Sequence, residues 1–483
     1  NYPSSVDLIN ALKVSGRTDK GLGIGFFNAV TKKAYAEIKD TITNSSRKEL
    51  VEPLSNYNVL VLDQRFGDNS SVSFVNTNVT REDGFRDANA TGIYMDITNK
   101  KNTLNYYAST EGSWVMHENT KFGVEAQAGI SKINGKNRLT GEVEIRTKDY
   151  DINDIGYTGI TNYAHYSGYY GYRLLQPRGF LNNMYLNFNL TEVRRLEPDL
   201  FSNFVFNFNS NFTTKNFFNF GGGFETTPFG SNDIYEPRVD GRYVKIPTYY
   251  DQWLYVGTDQ RKKFSVLTSL DWYEYNENNR RTITWDFNPT YRISDKIRIN
   301  LSTNITFSDK EQGFVAIDNN EIIFGGRNRR TVITSLEGRY IFNNKMALNL
   351  AFRHYYSEVA YNRFFNLEQN GELSPMDFEN TFDTTYNSWN VDLRYSWWFA
   401  PGSQVTLLYR NAIDSYLNEA NRDFSTNFRD LFHSPQLNSL SLRVSYYLDY
   451  NRIKNIFGHK QSVPQHPRTI DPTPGKPISC ISM

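Results

Sequence analysis

The sequence is almost without cysteine, since Cys480 is the only one among 483 residues. A single cysteine excludes an intramolecular disulfide framework and a metal cage built from thiolates. No run approaches 18 apolar residues, which excludes a helical membrane span, and mean hydropathy is −0.59. The formal net charge is only +1, so overall charge gives no reason to expect nucleic acid as a partner.

What the sequence does contain is a recurring alternation of apolar and polar residues. In "SLSLRVSYYLDY" (439–450), Leu440, Leu442 and Val444 fall on one side of an extended chain, whereas Ser441 and Arg443 fall on the other. The same period of two appears in "FVFNFNSNF" (204–212), "TITWDFNPTYR" (282–292), "IRINLSTNITF" (297–307) and "VDLRYSWWF" (391–399). We find no convincing stretch of helical period, so the pattern predicts an all-β chain.

The connections between these strands predict which β architecture they form. Short polar turns are expected at Thr18–Gly21, Gly67–Ser70, Thr98–Lys101, Asn134–Asn137, Thr213–Lys215, Gln260–Lys263, Ser294–Lys296, Asn343–Lys345 and Pro401–Ser403. Longer links are expected at 36–56, 149–161, 224–250, 308–320, 355–387 and 414–437. Short turns at one end and long loops at the other are typical of outer-membrane barrels. The alternative, a soluble multi-sheet protein or propeller, would need a regular blade repeat, and none is visible.

Strand parity predicts that the barrel is incomplete in this chain. We count 21 strands, whereas single-chain bacterial barrels usually have an even number. The fold prediction is therefore an all-β transmembrane antiparallel β-barrel of about 22 strands, with one strand expected upstream of Asn1. A miscount is most plausible near 308–333, where one long strand or two would fit the sequence.

Two regions differ in composition. Residues 1–455 carry the alternation and are predicted to be the barrel, as the C-terminal part of a longer protein. Residues 456–483 hold 5 of the 16 prolines, lack alternation, and are predicted to form an unstructured tail, either a periplasmic docking peptide or a non-native remnant.

The candidate site residues are charged side chains on the wet side of the alternation. We expect them to line the barrel lumen, where charges of both signs either solvate the wall or bind polar solutes. They are Glu142, Glu144, Arg146, Asp286, Arg292, Arg298, Asp392, Arg394, Arg443 and Asp449.

No metal site or catalytic site is predicted. Asp149, Asp151 and Asn153 in "DYDIND" match the start of a calcium loop only in part, because Gly156 comes two places late and Ile160 replaces the closing glutamate. The alternative is an Asx-rich turn that organises the loop. None of the six histidines has metal-ligand spacing, so we expect no cofactor and no enzymatic activity.

Several stretches together resemble a Bacteroidetes outer-membrane β-barrel family of unknown function. These are "ALKVSGRTDKGLGIGFFNAVT" (11–31), "NTNVTREDGFRDANATGIYMDI" (76–97), "KDYDINDIGY" (148–157) and "SLRVSYYLDYNRIK" (441–454). The resemblance covers about residues 1–455. It implies an outer-membrane barrel, and an upstream domain similar to family-nine carbohydrate-binding modules. It supplies no catalytic residues.

We therefore expect a porin-like protein of the bacterial cell outer membrane, in contact with outer-membrane lipid. Its polar lumen would be plugged or gated and would pass or bind polar, including glycan-derived, solutes. The links 224–250, 355–387 and 414–437 are long enough to fold inward, and Trp398 and Tyr447 are expected to narrow the lumen. The alternative is a non-transporting barrel that serves as a subunit of an outer-membrane secretion, assembly or surface complex, with outer-membrane or periplasmic partner subunits.

Overall fold

The computed structural model describes residues 7–40, 45–82, 84–277, 279–378, 382–420 and 423–447. The described chain is all-β, with 71% of the described residues in strands. The predicted tail at 456–483 and Val6, the first residue of "VDLINALKV", lie outside the described residues.

The main element is one large antiparallel sheet in which 21 strands follow one another as a meander. Its first half comprises β1 (Leu8–Arg17), β2 (Leu22–Thr31), β5 (Ser55–Phe66), β6 (Ser70–Arg81), β7 (Asp87–Thr98), β8 (Leu104–Met116), β9 (Lys121–Lys132), β10 (Asn137–Arg146), β11 (Tyr163–Leu174), β12 (Leu181–Arg195) and β13 (Leu200–Thr214). Its second half comprises β14 (Asn219–Thr226), β17 (Tyr249–Gly257), β18 (Phe264–Tyr275), β19 (Arg281–Arg292), β20 (Ile297–Asp318), β21 (Glu321–Asn343), β22 (Met346–Leu367), β24 (Thr384–Ala400), β25 (Ser403–Leu417) and β26 (Gln436–Ser445).

Five short strands and one helix belong to the connections. β3 (Ala34–Lys39) pairs with β4 (Ser46–Glu52) as a separate hairpin. β15 (Ser231–Asp233) and β16 (Val244–Ile246) lie between β14 and β17, and β23 (Leu373–Met376) pairs with β22. The helix α1 (Phe424–Leu431) lies between β25 and β26.

The predicted short turns all lie at one end of the meander, together with a tenth connection at 175–180 that the sequence reading omitted. The long links lie at the opposite end, as predicted, but the predicted link 355–387 begins too early, because β22 continues to Leu367. That end also carries short connections, which the simple alternation of short and long did not anticipate, at 82–86, 117–120, 196–199 and 276–280.

The predicted long link at 308–320 is wrong. β20 continues to Asp318, and a two-residue turn, Asn319–Asn320, leads into β21, which is a single long strand. Both asparagines have positive φ (46° and 67°), as a tight hairpin turn requires. The alternation is broken at Lys310, where β20 carries one extra residue opposite β21, and this bulge concealed the strand from the sequence pattern.

The register of the meander separates residues into an apolar face and a polar face. Leu440, Tyr409 and Leu393 lie directly opposite one another on β26, β25 and β24, and the row continues through Leu350 to Ile299. The predicted outward residues (Leu440, Leu442, Val444, Phe204, Phe206, Ile299 and Leu301) all lie on this apolar face, whereas Arg298, Arg394 and Arg443 lie on the polar face.

Nothing in the described chain covers most of the apolar face. Leu440, Leu442 and Leu254 are 71%, 67% and 68% exposed. Charged residues on this face lie level with the strand ends, namely Asp87, Glu192, Arg194, Glu274, Arg281, Asp309, Arg330 and Glu358 at the end of the long links and Lys132 at the other end. The middle of the face is therefore an uncharged apolar band, far larger than a soluble monomer usually exposes.

One short helix, α1, occurs in this all-β chain, although the sequence shows no convincing stretch of helical period. Asp423 caps α1 by accepting a hydrogen bond from the backbone N–H of Thr426 (3.0 Å). The ring centroids of Phe424 and Tyr356 lie 5.0 Å apart, as do those of Phe428 and His354. The link 414–437 thus folds onto the apolar face rather than inward. Among the described residues, no helix is long and apolar enough to cross a membrane.

The link between β10 and β11 lies over the polar face. Its buried Tyr150 donates a hydrogen bond to Glu111 on β8, and Asp154 forms ion pairs with Arg81 (2.9 Å) and Arg86 (2.7 Å). Gly123 on β9 provides the space for this loop, because a Cβ there would lie 2.1 Å from the backbone nitrogen of Tyr150. The absence of a side chain at Gly123 therefore lets this loop close against the sheet.

Substitution Gly123→Ala is expected to release this loop. We expect a loss of about 1–3 kcal/mol in unfolding free energy, because a methyl group forced into a packed contact shifts the backbone. Faster tryptic cleavage after Lys148 would report the release. The matched variant Gly141→Ala, whose Cβ would have nothing within 4 Å, should be cleaved at the wild-type rate. Equal cleavage of both variants would contradict the packing role.

Candidate functional site

Four glutamates on neighbouring strands form an acidic patch on the polar face: Glu111, Glu125, Glu142 and Glu144. Tyrosine hydroxyls hold three of them. Glu111 accepts hydrogen bonds from Tyr94 and Tyr150, Glu142 from Tyr107, and Glu144 from Tyr163. The tyrosine hydroxyls therefore orient these three carboxylates without adding positive charge.

Arg146 is the cation at the edge of this patch. Its Nη2 lies 2.6 Å from Glu125 and 3.5 Å from Glu144, and its Nη1 donates to the carbonyl oxygen of Ile160 (2.8 Å). One arginine against four carboxylates leaves the patch negative overall. Such a surface favours solutes that are cationic or rich in hydroxyl groups.

A group that could hold a metal ion lies within the acidic patch. Glu142, Glu144 and His165 each offer one ligand atom, and these atoms lie within 4.8 Å of one another. His165 stands directly opposite Glu144 in the register of β10 and β11. The sequence did not predict this group, because metal-ligand spacing is visible only along a single strand, whereas these residues meet across two strands.

The partial calcium motif has another use in the structure. Asp151 accepts a hydrogen bond from the backbone N–H of Asn153 (2.9 Å), and Asn153 accepts one from the N–H of Thr158 (2.9 Å). The neighbouring Asp154 is held by two arginines, and Asp149 lies where the backbone closes over Gly123. These contacts favour the Asx-turn interpretation over a calcium loop.

Positive charge gathers on a different part of the polar face. Arg292, Arg298 and Arg339 lie directly opposite one another on β19, β20 and β21, and Arg394 continues the same row beyond Asn349. This arginine row lies towards the short turns, whereas the acidic patch lies towards the long links. The acidic patch and the arginine row thus lie in different parts of the polar face, whereas pairs such as Asp392 with Arg410 bring both signs together elsewhere on it.

The other predicted lumen residues are paired or lie apart from both regions. Asp286 accepts a hydrogen bond from Asn304 (2.9 Å), and Asp392 forms a two-pronged ion pair with Arg410 (2.7 and 2.8 Å). Arg443 lies on the polar face opposite Thr406, and Asp449 lies outside the described residues. Trp398 and Tyr447 lie near the short-turn end, Tyr447 beside Gly402, so neither ring narrows the middle of the sheet.

The link 227–248, here termed the crossing segment, joins distant parts of the sheet. Its Ser231 pairs with Asn203 on β13 and with Ile246 on β16. Lys245, which precedes Ile246 on β16, donates its backbone N–H to the carbonyl oxygen of Gly371 (2.8 Å), just beyond β22. Three strand spacings, about 14 Å, therefore separate β13 from the tip of β22, whereas seven spacings along the sheet amount to about 34 Å. The sheet must curve around the crossing segment.

Side chains anchor the far end of the crossing segment. Glu236 accepts the backbone N–H of Phe314 (2.7 Å), and Arg242 donates to the carbonyl oxygen of Leu367 (2.7 Å). The hydrogen bond from Lys245 (3.2 Å) lowers the pKa of Glu372. An apolar cluster completes the contact, with Val244 packed among Ile322, Phe324, Phe365 and Leu367.

Two cavities flank the crossing segment. One of about 580 Å³ borders the acidic patch and is lined by Glu144, Tyr163, His165, Arg195 and Asp233, among others. The other, of about 1100 Å³, lies towards β20 and β22 and is lined by Phe229, Lys245, Arg280, Arg363 and Glu372, among others. The crossing segment thus lies between a cavity on the polar face and a larger cavity that reaches the apolar face, where Phe229 packs against Phe204 with ring centroids 5.6 Å apart.

The sequence of the chain matches a known protein family. A family model described as a domain of unknown function (DUF5916) matches residues 1–457. No curated protein matches the chain. The match covers all of the sequence that shows alternation, residues 1–455. The Bacteroidetes origin and the carbohydrate-binding domain stay predictions.

Substitution Arg146→Gln is expected to destabilise the acidic patch by about 1–3 kcal/mol, because it leaves partly buried carboxylates without their cation. Arg410→Gln is the matched control, since the Arg146 side chain is 19% exposed and that of Arg410 is 50% exposed. Its pair with Asp392 should contribute less than about 1 kcal/mol. Thermal unfolding, monitored by circular dichroism, would compare the stabilities of the two variants. An equal loss in both variants would contradict the assignment.

Proposed function

We propose that this chain, which belongs to the DUF5916 family, is a β-barrel of the bacterial outer membrane that binds and passes polar solutes through an occupied lumen. The observation that carries the proposal is the two-faced sheet. One face presents an uncharged apolar band across the meander, and the other presents paired polar and charged groups. Lipid on one side and water on the other would satisfy both faces.

Curvature and strand direction support closure into a barrel. Because the meander has an odd number of strands, β1 and β26 run in the same direction. Among the described residues, β1 pairs only with β2 and β26 only with β25. One additional strand between them would complete an antiparallel barrel of about 22 strands and satisfy both open edges.

The crossing segment supports an occupied rather than an open lumen. A wall of about 22 strands encloses more space than its own side chains fill. The crossing segment spans from β13 to β22, and the loop that carries Tyr150 lies over the polar face of β8 and β9. Solutes that pass would have to move around these segments, past the acidic patch.

One feature supports the alternative, a non-transporting subunit of a larger outer-membrane complex. The hairpin β3–β4 forms its own sheet at the end of the long links, and Tyr35 and Ile38 on it are 49% and 44% exposed. Exposed apolar side chains on a hairpin suit a protein partner. Purification of a stoichiometric partner with the native protein, lost on Tyr35→Ser with Ile38→Ser, would favour this alternative.

Conductance in planar bilayers tests the occupied lumen. The intact protein is expected to show little or no steady current, because the crossing segment obstructs the passage. Replacement of residues 231–246 by a short glycine–serine linker should produce open channels. Replacement of 423–433, which includes α1 on the apolar face, is the control and should leave the current low. Large, permanently open channels from the intact protein would contradict the occupied lumen.

Disulfide trapping tests closure, in the native full-length protein with Cys480→Ser. Cysteines at Lys13 or Ser15 on β1 should not cross-link with cysteines at Ser439, Ser441 or Arg443 on β26, because an intervening strand places them about 9.6 Å apart. The register pair Thr406→Cys with Arg443→Cys is the positive control. Efficient cross-links between β1 and β26 would show direct closure and refute the additional strand.

A further inference from the structure

The larger cavity beside the crossing segment, here termed the arginine cavity, carries more positive than negative charge. Four cationic side chains line it, but only two carboxylates do. The cations are Lys245, Arg280, Lys310 and Arg363, and the carboxylates are Glu277 and Glu372. The cavity differs in sign from the acidic patch on the other side of the crossing segment. A solute that enters it meets a net positive surface.

Arg280 is a buried charge within this lining. The residue is only 6% exposed, and its guanidinium lies 3.8 Å from the centroid of the Tyr275 ring. Its Nη1 donates to Glu277 (3.1 Å) and Gln312 (2.8 Å), but its buried Nε has no hydrogen-bond partner among the described residues. A buried N–H without an acceptor is costly, so an oxygen atom supplied by a ligand would stabilise this arrangement.

Arg363 supplies a second cation that is accessible. It is exposed, it lies 5.9 Å from the centroid of the Phe365 ring, and no described carboxylate forms an ion pair with it. Lys245, by contrast, is paired with Glu372, although both side chains are about half exposed or more. Arginine guanidinium groups present paired donors that match carboxylate oxygens. Arg280 and Arg363 therefore provide two such groups in one cavity.

The cavity also offers apolar surface and sufficient volume. Phe201, Phe229 and Phe365 line it, and Phe229 is 74% exposed. Its volume of about 1100 Å³ is at the upper limit for small-molecule sites, which typically measure about 300–1,000 Å³. Phe365 is only 7% exposed and packs in the apolar cluster, so the exposed ring is that of Phe229. An exposed phenyl ring beside arginines suits a ligand that has both an apolar face and anionic groups.

We propose that the arginine cavity binds a carboxylate-bearing organic anion of about disaccharide size, with its anionic groups on Arg280 and Arg363 and its apolar face against the Phe229 ring. The proposal goes beyond the proposed function, because it assigns the arginine cavity an anionic ligand of its own, whereas the acidic patch favours cationic or hydroxyl-rich solutes. Binding of an anion to the detergent-solubilised protein does not depend on the passage of solutes through a membrane. The proposed cavity ligand and the proposed function can therefore be refuted independently.

Calorimetric titration of the detergent-solubilised full-length protein tests the proposal, with digalacturonate as the anionic probe and maltose as its neutral counterpart. Digalacturonate is expected to bind at least tenfold more tightly than maltose, and more weakly as salt is added. Arg363→Gln should weaken its binding about tenfold, since the variant removes a charge-assisted contact at an exposed position that folding does not need.

Arg339→Gln in the arginine row is the matched control, and it should bind digalacturonate as tightly as the wild type. Arg280→Lys, which keeps the charge but loses the planar fork, should also weaken binding. Equal affinity for digalacturonate and maltose would overturn the proposal, as would unchanged binding in Arg363→Gln. If digalacturonate does not bind but the bilayer conductance is as expected, the cavity proposal is refuted and the proposed barrel function is unaffected.

Discussion

The backbone ladder between neighbouring strands is the interaction on which the rest of this structure depends. Each main strand between β1 and β26 pairs with a neighbour on both sides, and a fixed register sends alternate residues to opposite faces. A slip of one residue would move Leu301 to the polar face and Ser302 to the apolar face. The two-faced pattern is thus both the cause and the consequence of the register.

Much of the sheet could be predicted because its pattern is local. Period two is visible within about 10 residues, so Leu440, Leu442 and Ile299 were assigned to the correct face from sequence alone. The count of 21 strands agrees with the meander for the same reason. The prediction failed where the pattern is interrupted, at the bulge of Lys310 and at α1, whose Phe424, Phe428 and Leu431 span only two turns.

The candidate site could be predicted only in part, because it depends on relations between strands. Glu142, Glu144 and Arg146 were named from one strand. His165, Tyr107 and Tyr163 joined them only once the register was known. The separation of the acidic patch from the arginine row is likewise a property of the sheet. The crossing segment was recognised as a long link, but its attachment to Gly371 depends on curvature that no local pattern encodes.

Charge and curvature together explain why the long links matter. The space enclosed by a curved sheet with a polar concave face would be empty unless other segments filled it. The links 147–162 and 227–248 supply such segments. The first is held by Tyr150 and Asp154, and the second by backbone bonds and a small apolar cluster. The link 227–248 lies beside two cavities whose linings differ in net charge. Solute selectivity, in this account, belongs to the links as much as to the wall.

The central claim is that the apolar face meets lipid, and cysteine accessibility along β20 tests it most directly. Single cysteines at residues 299 to 302, in Cys480→Ser protein reconstituted in liposomes, would be treated with a water-soluble maleimide and, separately, labelled and exposed to a lipid-soluble quencher. The account predicts that positions 300 and 302 react with the maleimide, whereas labels at 299 and 301 are quenched from the lipid. Uniform maleimide reaction at all four positions, without quenching, would contradict it.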